Sequence, residues 1–192
     1  MNNFFNRELC TKCGGRCCKQ SGCLVSTRDC KEGLSRVEVF LTDEAVTLYC
    51  ISSRLFAKII IEDVVNICGR NMKALHTTMP KVLSQLERLL SYPEVYLLKM
   101  RSEGMNVVEK ISTSEDFTKK LLNSGRCVKL TNIGCEYSDE ERPFGGVALI
   151  PRISADGNHY ICQMKYSMMD NAMEWLVFRD ELGRIFNLEA KK

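Results

Sequence analysis

Histidine is nearly absent from this chain: 192 residues contain two, His76 and His159. A histidine-rich metal site is therefore excluded. So is a convincing Ser-His-Asp set, since one loop histidine would have to serve as the base. Long apolar runs are missing too. The densest, Ile59-Ile60-Ile61, is broken at once by Glu62 and Asp63, so no segment is long enough to span a membrane. The opening Met-Asn-Asn-Phe-Phe-Asn-Arg lacks a basic stretch followed by an apolar core, the layout of a secretory signal, and a cytoplasmic chain is expected. No dense Lys/Arg run is present, and a net charge of +3 is too mild to indicate a nucleic-acid partner. Lys119, Lys120, Arg126 and Lys129 read as solvated positions on or near a helix. There is no internal repeat and no low-complexity tract. These absences leave a globular protein with neither a nucleic-acid nor a membrane partner. A protein partner or substrate remains open.

What the chain has in excess is cysteine, eleven in all. An odd count cannot pair completely, and in a reducing compartment such residues read as ligands and core thiols. Four form one cluster: Cys10, Cys13, Cys17 and Cys18, written Cys-Thr-Lys-Cys-Gly-Gly-Arg-Cys-Cys. Ionised thiolates this close repel one another, and a soft metal or an iron–sulfur cluster removes the problem by binding them. Cys10-x2-Cys13 suits a chelating knuckle, with Gly14 and Gly15 permitting the tight backbone it needs. Adjacent side chains in an extended chain point opposite ways. One of Cys17 and Cys18 is thus expected to join Cys10 and Cys13, and the other to face a second site or the core. The spacing matches no usual ferredoxin run, and no second Cys-x2-Cys half of a zinc ribbon follows. Cys50 and Cys68, on apolar periodic segments, read as packing residues. Cys23 and Cys30 stand open as ligands or core thiols.

The expected fold is α+β, mainly helical: a single domain with a small β-hairpin and cysteine-rich loops gathered around a metal centre. Residues 1–35 are expected as a metal-binding loop, 36–125 as a helical core, 126–166 as a second cysteine loop and hairpin, and 167–192 as a C-terminal helix. Within the core, Val37, Val39 and Leu41 alternate like a short strand, and Thr42 with Asp43 and Glu44 suggests a helix over about 42–52. Apolar spacing predicts a helix from Leu55 to Cys68 stopped by Gly69. Pro80 suits the first turn of a third helix carrying Val82, Leu83, Leu86, Leu89 and Leu90. Val95–Met100 is ambiguous between strand and helix. Ser112 and Glu115 form a capping box before a helix closed by Gly125. Val147–Ile153 and His159–Tyr166 flank the turn signal Asp156-Gly157. Met168, Met169 and Met173 lie on the final helix, to about Phe186, as core residues.

A second cysteine group comprises Cys127-Val-Lys-Leu130 and Gly134-Cys135-Glu-Tyr137, followed by Arg142-Pro143. With the first cluster, it resembles the bacterial and archaeal cysteine-cluster family described as a zinc- or iron-chelating domain. That family opens with Cys-x2-Cys-x3-Cys-Cys. Its later segment has a Cys and an apolar pair, then Gly-Cys, an aromatic residue and Arg-Pro. The resemblance covers residues 8–35 and 125–165. It implies metal ligands among Cys10, Cys13, Cys17, Cys18, Cys127 and Cys135. One departure stands out: relatives place a cysteine close after the Arg-Pro pair, whereas Phe144-Gly145-Gly146-Val147 has none. Cys162, Cys23 or Cys30 would have to fill that place. Some members resemble flagellin lysine N-methylases with an iron–sulfur centre. This chain lacks a glycine-rich nucleotide loop and a Cys-x3-Cys-x2-Cys radical run.

The expected function is a cysteine-ligated metal-binding protein, with an iron–sulfur cluster or zinc held between the two cysteine segments in an accessory or structural role. The alternative is a metal-dependent protein-modifying enzyme or redox catalyst. A third reading is a metal-free thiol redox protein using Cys10 and Cys13. Arg142, with five donors and a fixed charge, is expected to serve a bound centre from just outside its ligands; the alternative is a surface ion pair with Asp139 or Glu140.

Overall fold

Three strands, each drawn from an apolar stretch, organise the molecule. The computed structural model describes residues 7–30, 34–69, 71–132, 134–138, 141–153, 157 and 160–191. At 7, 16, 17, 36, 134, 147, 150–152 and 160–164 it describes the backbone alone. His159, Asp139, Glu140 and Asp156 lie outside the described residues, so the expectations placed on them do too.

The cysteine-rich start is partly helical where loops were expected. Helices α1 (Arg7–Cys13) and α2 (Arg16–Gln20) are joined by Gly14 and Gly15, both at φ 67°, a left-handed turn that a side chain would strain. An extended stretch and a 3₁₀ turn (Thr27–Asp29) follow. Helix α3 (Leu34–Thr42) replaces the strand expected at Val37–Leu41. Val37 and Leu41 are buried while Val39 between them is 44% exposed, so the apparent alternation is one face of a helix.

The helix expected over 42–52 is instead strand β1 (Val46–Ser52). Everything from Val46 to Ile51 is buried, and a strand covered on both faces carries no alternation to reveal it. Helix α4 (Ser53–Cys68) runs as expected, with Ser52 capping its start and Gly69 at φ 53° ending it. Helix α5 (Met72–Leu90) begins well before Pro80, because the Asn71 side chain accepts from Ala74 N and starts the helix there. Strand β2 (Glu94–Met100) resolves the ambiguity at 95–100, and β3 (Val108–Ile111) is an unexpected third strand. Helix α6 (Ser114–Asp116) continues into a π-helical turn (Phe117–Leu122) and is capped by Thr113 rather than Ser112.

Short strands β4 (Leu130–Thr131) and β5 (Gly134–Cys135) pair antiparallel. Helix α7 (Phe144–Val147) leads into the expected hairpin of β6 (Leu149–Ile153) and β7 (Tyr160–Met164). The final helix is two: α8 (Met168–Trp175), with a Ser167–Asp170 capping box, and α9 (Arg179–Glu189), separated by a 3₁₀ turn (Leu176–Phe178).

The main sheet has the order β2-β1-β3. β1 and β2 are antiparallel, with Val46 opposite Met100, and β1 and β3 are parallel. Tyr49, Ile51 and Leu97 point to one core with Phe56, Leu86, Leu89 and Phe117. Leu48, Leu98 and Met100 point to the other, with Val37, Leu41, Cys127, Leu130 and Trp175. Cys50 is 2% exposed on β1 and so packs as expected, though on a strand rather than a helix. Cys68 sits half-buried at the end of α4. Among the described residues no helix is long and apolar enough to cross a membrane.

Candidate functional site

The free edge of β2 is covered by the stretch that follows the first cysteine cluster. Met100 N donates to Cys23 O (2.8 Å), Val25 N donates to Leu98 O (2.9 Å), and Leu24 bridges antiparallel to Lys99. Gly22 makes this approach possible, since a Cβ there would stand 2.0 Å from Met100 O. On the other side Gly145 lies flat against Leu24, where a Cβ would meet Leu24 O at 2.2 Å. Cys23 is thus held between β2 and the Gly145-Gly146 turn. A Cβ at Gly146 would lie 3.3 Å from Cys23 Sγ and 3.0 Å from Arg142 Cγ. Arg142 therefore shares its glycine neighbour with the Cys23 sulfur.

Helix α8 locks the same stretch by polar bonds. Asn171 accepts from Leu98 N (3.1 Å) and donates to Val25 O (2.7 Å), and Trp175 Nε1 donates to the same carbonyl (2.9 Å). Glu174 Oε2 accepts from Ser26 Oγ (2.5 Å), Thr27 Oγ1 (3.2 Å) and Tyr166 OH (2.9 Å). Asp29 accepts from Phe144 N and Ser26 N, each at 2.8 Å. Burial nonetheless pushes its carboxyl above the usual carboxylate range.

The second cysteine segment arrives from the opposite direction. Cys127 N donates to Cys18 O (2.7 Å), Gly125 N donates to Gln20 O (2.9 Å), and Cys127 bridges to Ser102. The β4–β5 pairing sets Cys135 opposite Leu130. The result is a gathering of thiols. Burial raises the Cys23 thiol well above its ordinary value, and the neighbouring thiols of Cys18, Cys127 and Cys135 push it further. Cys127 is raised by burial, then by Cys135. Tyr137 is pushed up to about 12 by burial, with Glu136 and the thiols of Cys127, Cys135 and Cys23 adding to it.

The two segments paired in the sequence reading thus meet through Cys18, Cys127 and Cys135, with Cys23 at the centre. Cys10 and Cys13 stand one turn apart on α1, partly exposed, and the thiols acting most strongly on Cys23 are not theirs. The side chains of Cys17 and Cys162 lie outside those described. Cys30 is buried in the apolar core beside Val37 and Leu41. Among the described residues, no three Cys, His, Asp or Glu side chains converge closely enough to hold one ion as they stand. The convergence is one of backbone and electrostatics, and the expected closed metal centre is not shown.

Lys99 was missed in the sequence, although a lysine inside Val95-Tyr-Leu-Leu-Lys-Met100 is the visible signal. It is 3% exposed, and Nζ donates to Ser21 Oγ, to Leu121 O and, at 3.3 Å, to Ser124 Oγ. Burial lowers its ammonium to about 8, opposed by the thiols of Cys23 and Cys127. Beside it lies a cavity of about 240 Å³ lined by Cys18, Cys23, Lys99, Leu121, Tyr166 and Met168, among others. No family model matches this chain, and no curated protein and no solved structure matches it.

Proposed function

We propose that the protein binds a metal, as an iron–sulfur cluster or zinc, through cysteine thiolates drawn from Cys18, Cys23, Cys127 and Cys135, in an accessory or structural role. The observation that supports this reading is the backbone contact of Cys127 with Cys18, two segments about a hundred residues apart, with the three thiols of Cys18, Cys127 and Cys135 near enough to act on Cys23. Thiol-rich, histidine-poor donors suit zinc or iron–sulfur chemistry. Raised thiols at Cys23 and Cys127 argue against a reactive redox pair formed by those two residues, because reactive redox cysteines have depressed values. Binding would require side-chain movement onto a common centre and release of the thiol protons. The nearness of both Arg142 and Cys23 to Gly146 supports a role for Arg142 in serving such a centre without ligating it. The enzyme reading has one specific support: Cys18 and Cys23 line a cavity that a small substrate could enter.

The test is anaerobic purification with elemental analysis and a visible spectrum. The expected outcome is stoichiometric iron with sulfide, or zinc, lost in Cys23→Ser and Cys135→Ser and retained in Cys50→Ala. Protein that holds no metal after anaerobic purification and reconstitution would overturn the reading.

A further inference from the structure

We infer that the cavity beside Lys99 is a binding site for a small aliphatic monocarboxylate, the Lys99 ammonium taking the carboxylate and the apolar walls taking the chain. The inference does not depend on the metal-binding reading above. It starts from a buried charge. Lys99 is 3% exposed, and its Nζ donates to Ser21 Oγ, Leu121 O and Ser124 Oγ. All three acceptors are neutral, and among the described residues no carboxylate is paired with the lysine. An ammonium taken out of water is costly unless an anion offsets it. A methionine would fill the same volume without that cost, so packing alone gives little reason for a lysine.

Strand geometry aims the lysine at the cavity. Side chains alternate along β2. Leu98 and Met100 pack in the core that holds Val25 and Trp175, so Lys99 shares the other face with Leu97, whose core includes Leu121. Leu24 bridges antiparallel to Lys99 and so presents its side chain on the lysine's face. Leu24, Leu121, Tyr166 and Met168 line the cavity with Lys99 and Ser21. The Tyr166 hydroxyl is bonded to Glu174 and Asn171, which leaves its ring for a ligand. The walls are thus mainly apolar, with one cation set among them. A volume of about 240 Å³ holds about eight water-sized groups at about 30 Å³ each, the size of a carboxylate on a chain of about five carbons. One positive charge matches one negative charge, whereas a phosphate dianion would bring in a charge left unpaired. The bond from Nζ to Ser124 Oγ is long at 3.3 Å, and that hydroxyl also has Ser102 Oγ at 2.7 Å and Ser21 Oγ at 3.2 Å. A carboxylate oxygen can therefore replace Ser124 at the ammonium without leaving the serine unsatisfied.

The test is titration of the purified protein with hexanoate, 1-hexanol and acetate, followed by calorimetry and by NMR of isotope-labelled methionine methyl groups. The Met168 signal is identified by its loss in Met168→Leu. Hexanoate should bind once per chain with a dissociation constant of about a millimolar or below, and should shift the Met168 methyl. 1-Hexanol keeps the chain without the charge, and acetate keeps the charge without the chain. Each should bind about tenfold or more weaker than hexanoate. Lys99→Met should lose hexanoate affinity by about tenfold or more and bind 1-hexanol at least as well as wild type. No hexanoate binding to wild type, or binding that leaves Met168 unmoved, overturns the inference. So does equal affinity of wild type for hexanoate and 1-hexanol, or an unchanged hexanoate affinity in Lys99→Met. Should Lys99→Met fail to fold, the wild-type series decides on the same outcomes. Protein that binds hexanoate as expected but takes up no metal overturns the metal-binding reading alone.

Discussion

Replacing Gly22 with Ala sets two opposed effects against each other. Gly22 is not at positive φ, so the methyl should stabilise through the unfolded chain by about 0.4–1 kcal/mol. Against that, the new Cβ would stand 2.0 Å from Met100 O, 2.7 Å from its carbonyl carbon and 2.9 Å from its Cβ. Ordinary contact begins at 3.4 Å, so the stretch must move off β2 by more than an ångström. That movement breaks the 2.8 Å bond from Met100 N to Cys23 O and strains the 2.9 Å bond from Val25 N to Leu98 O. A buried backbone group left unsatisfied costs about 1–3 kcal/mol, so the loss wins and the net destabilisation is about 1–2 kcal/mol. Urea unfolding followed by the fluorescence of Trp175, the chain's one tryptophan, suits the question, since its indole donates to Val25 O in the same stretch. The expected outcome is a lower midpoint and an altered native spectrum. A midpoint equal to or above wild type would show that the edge pairing is not held as described.

Other consequences follow from the titratable groups. Asp29 has its folded value raised by burial, so between the ordinary carboxylate range near pH ~4 and that raised value the folded chain binds more protons than the unfolded one. Its contribution therefore falls as pH rises through that window, and Asp29→Asn should flatten this part of a urea-midpoint series; an unchanged slope would refute it. Burial, then the charge of Glu94, pushes the Cys50 thiol up to about 12, so native protein treated with iodoacetamide at pH 8 should leave Cys50 unlabelled and label half-buried Cys68. Peptide mass spectrometry reads both, and rapid labelling of Cys50 in folded protein would contradict its burial.

The sequence was most legible where one face of an element meets water. Helix α4 announced itself through amphipathic spacing and Gly69, and the β6–β7 hairpin through its flanking strands. It was least legible where both faces are covered. The β1 segment, Val-Thr-Leu-Tyr-Cys-Ile, has no period because the two cores lie on either side of it. Val37-Glu-Val-Phe-Leu41 misled for a related reason: a short helix with an exposed valine mimics alternation. Of the candidate site, the approach of Cys18 to Cys127 was visible in the motifs, whereas Cys10 and Cys13, expected at its heart, stand on α1 and do not act on Cys23. The central place of Cys23 was not, because it depends on Gly22 and Gly145 letting two backbones close on it.

That dependence bears on which part of the site needs a metal. The Cys23 stretch is already fixed by β2, by Asn171, Glu174 and Trp175 of α8, and by the Asp29 bonds to Ser26 and Phe144. Cys18 is tied to Cys127 through the backbone. The backbone stretches that carry Cys18, Cys23 and Cys127 are thus held by hydrogen bonds that do not involve sulfur. A bound centre would require side-chain rotation onto a common point and release of the thiol protons. Burial raises the Cys23 and Cys127 thiols, so their deprotonation opposes binding.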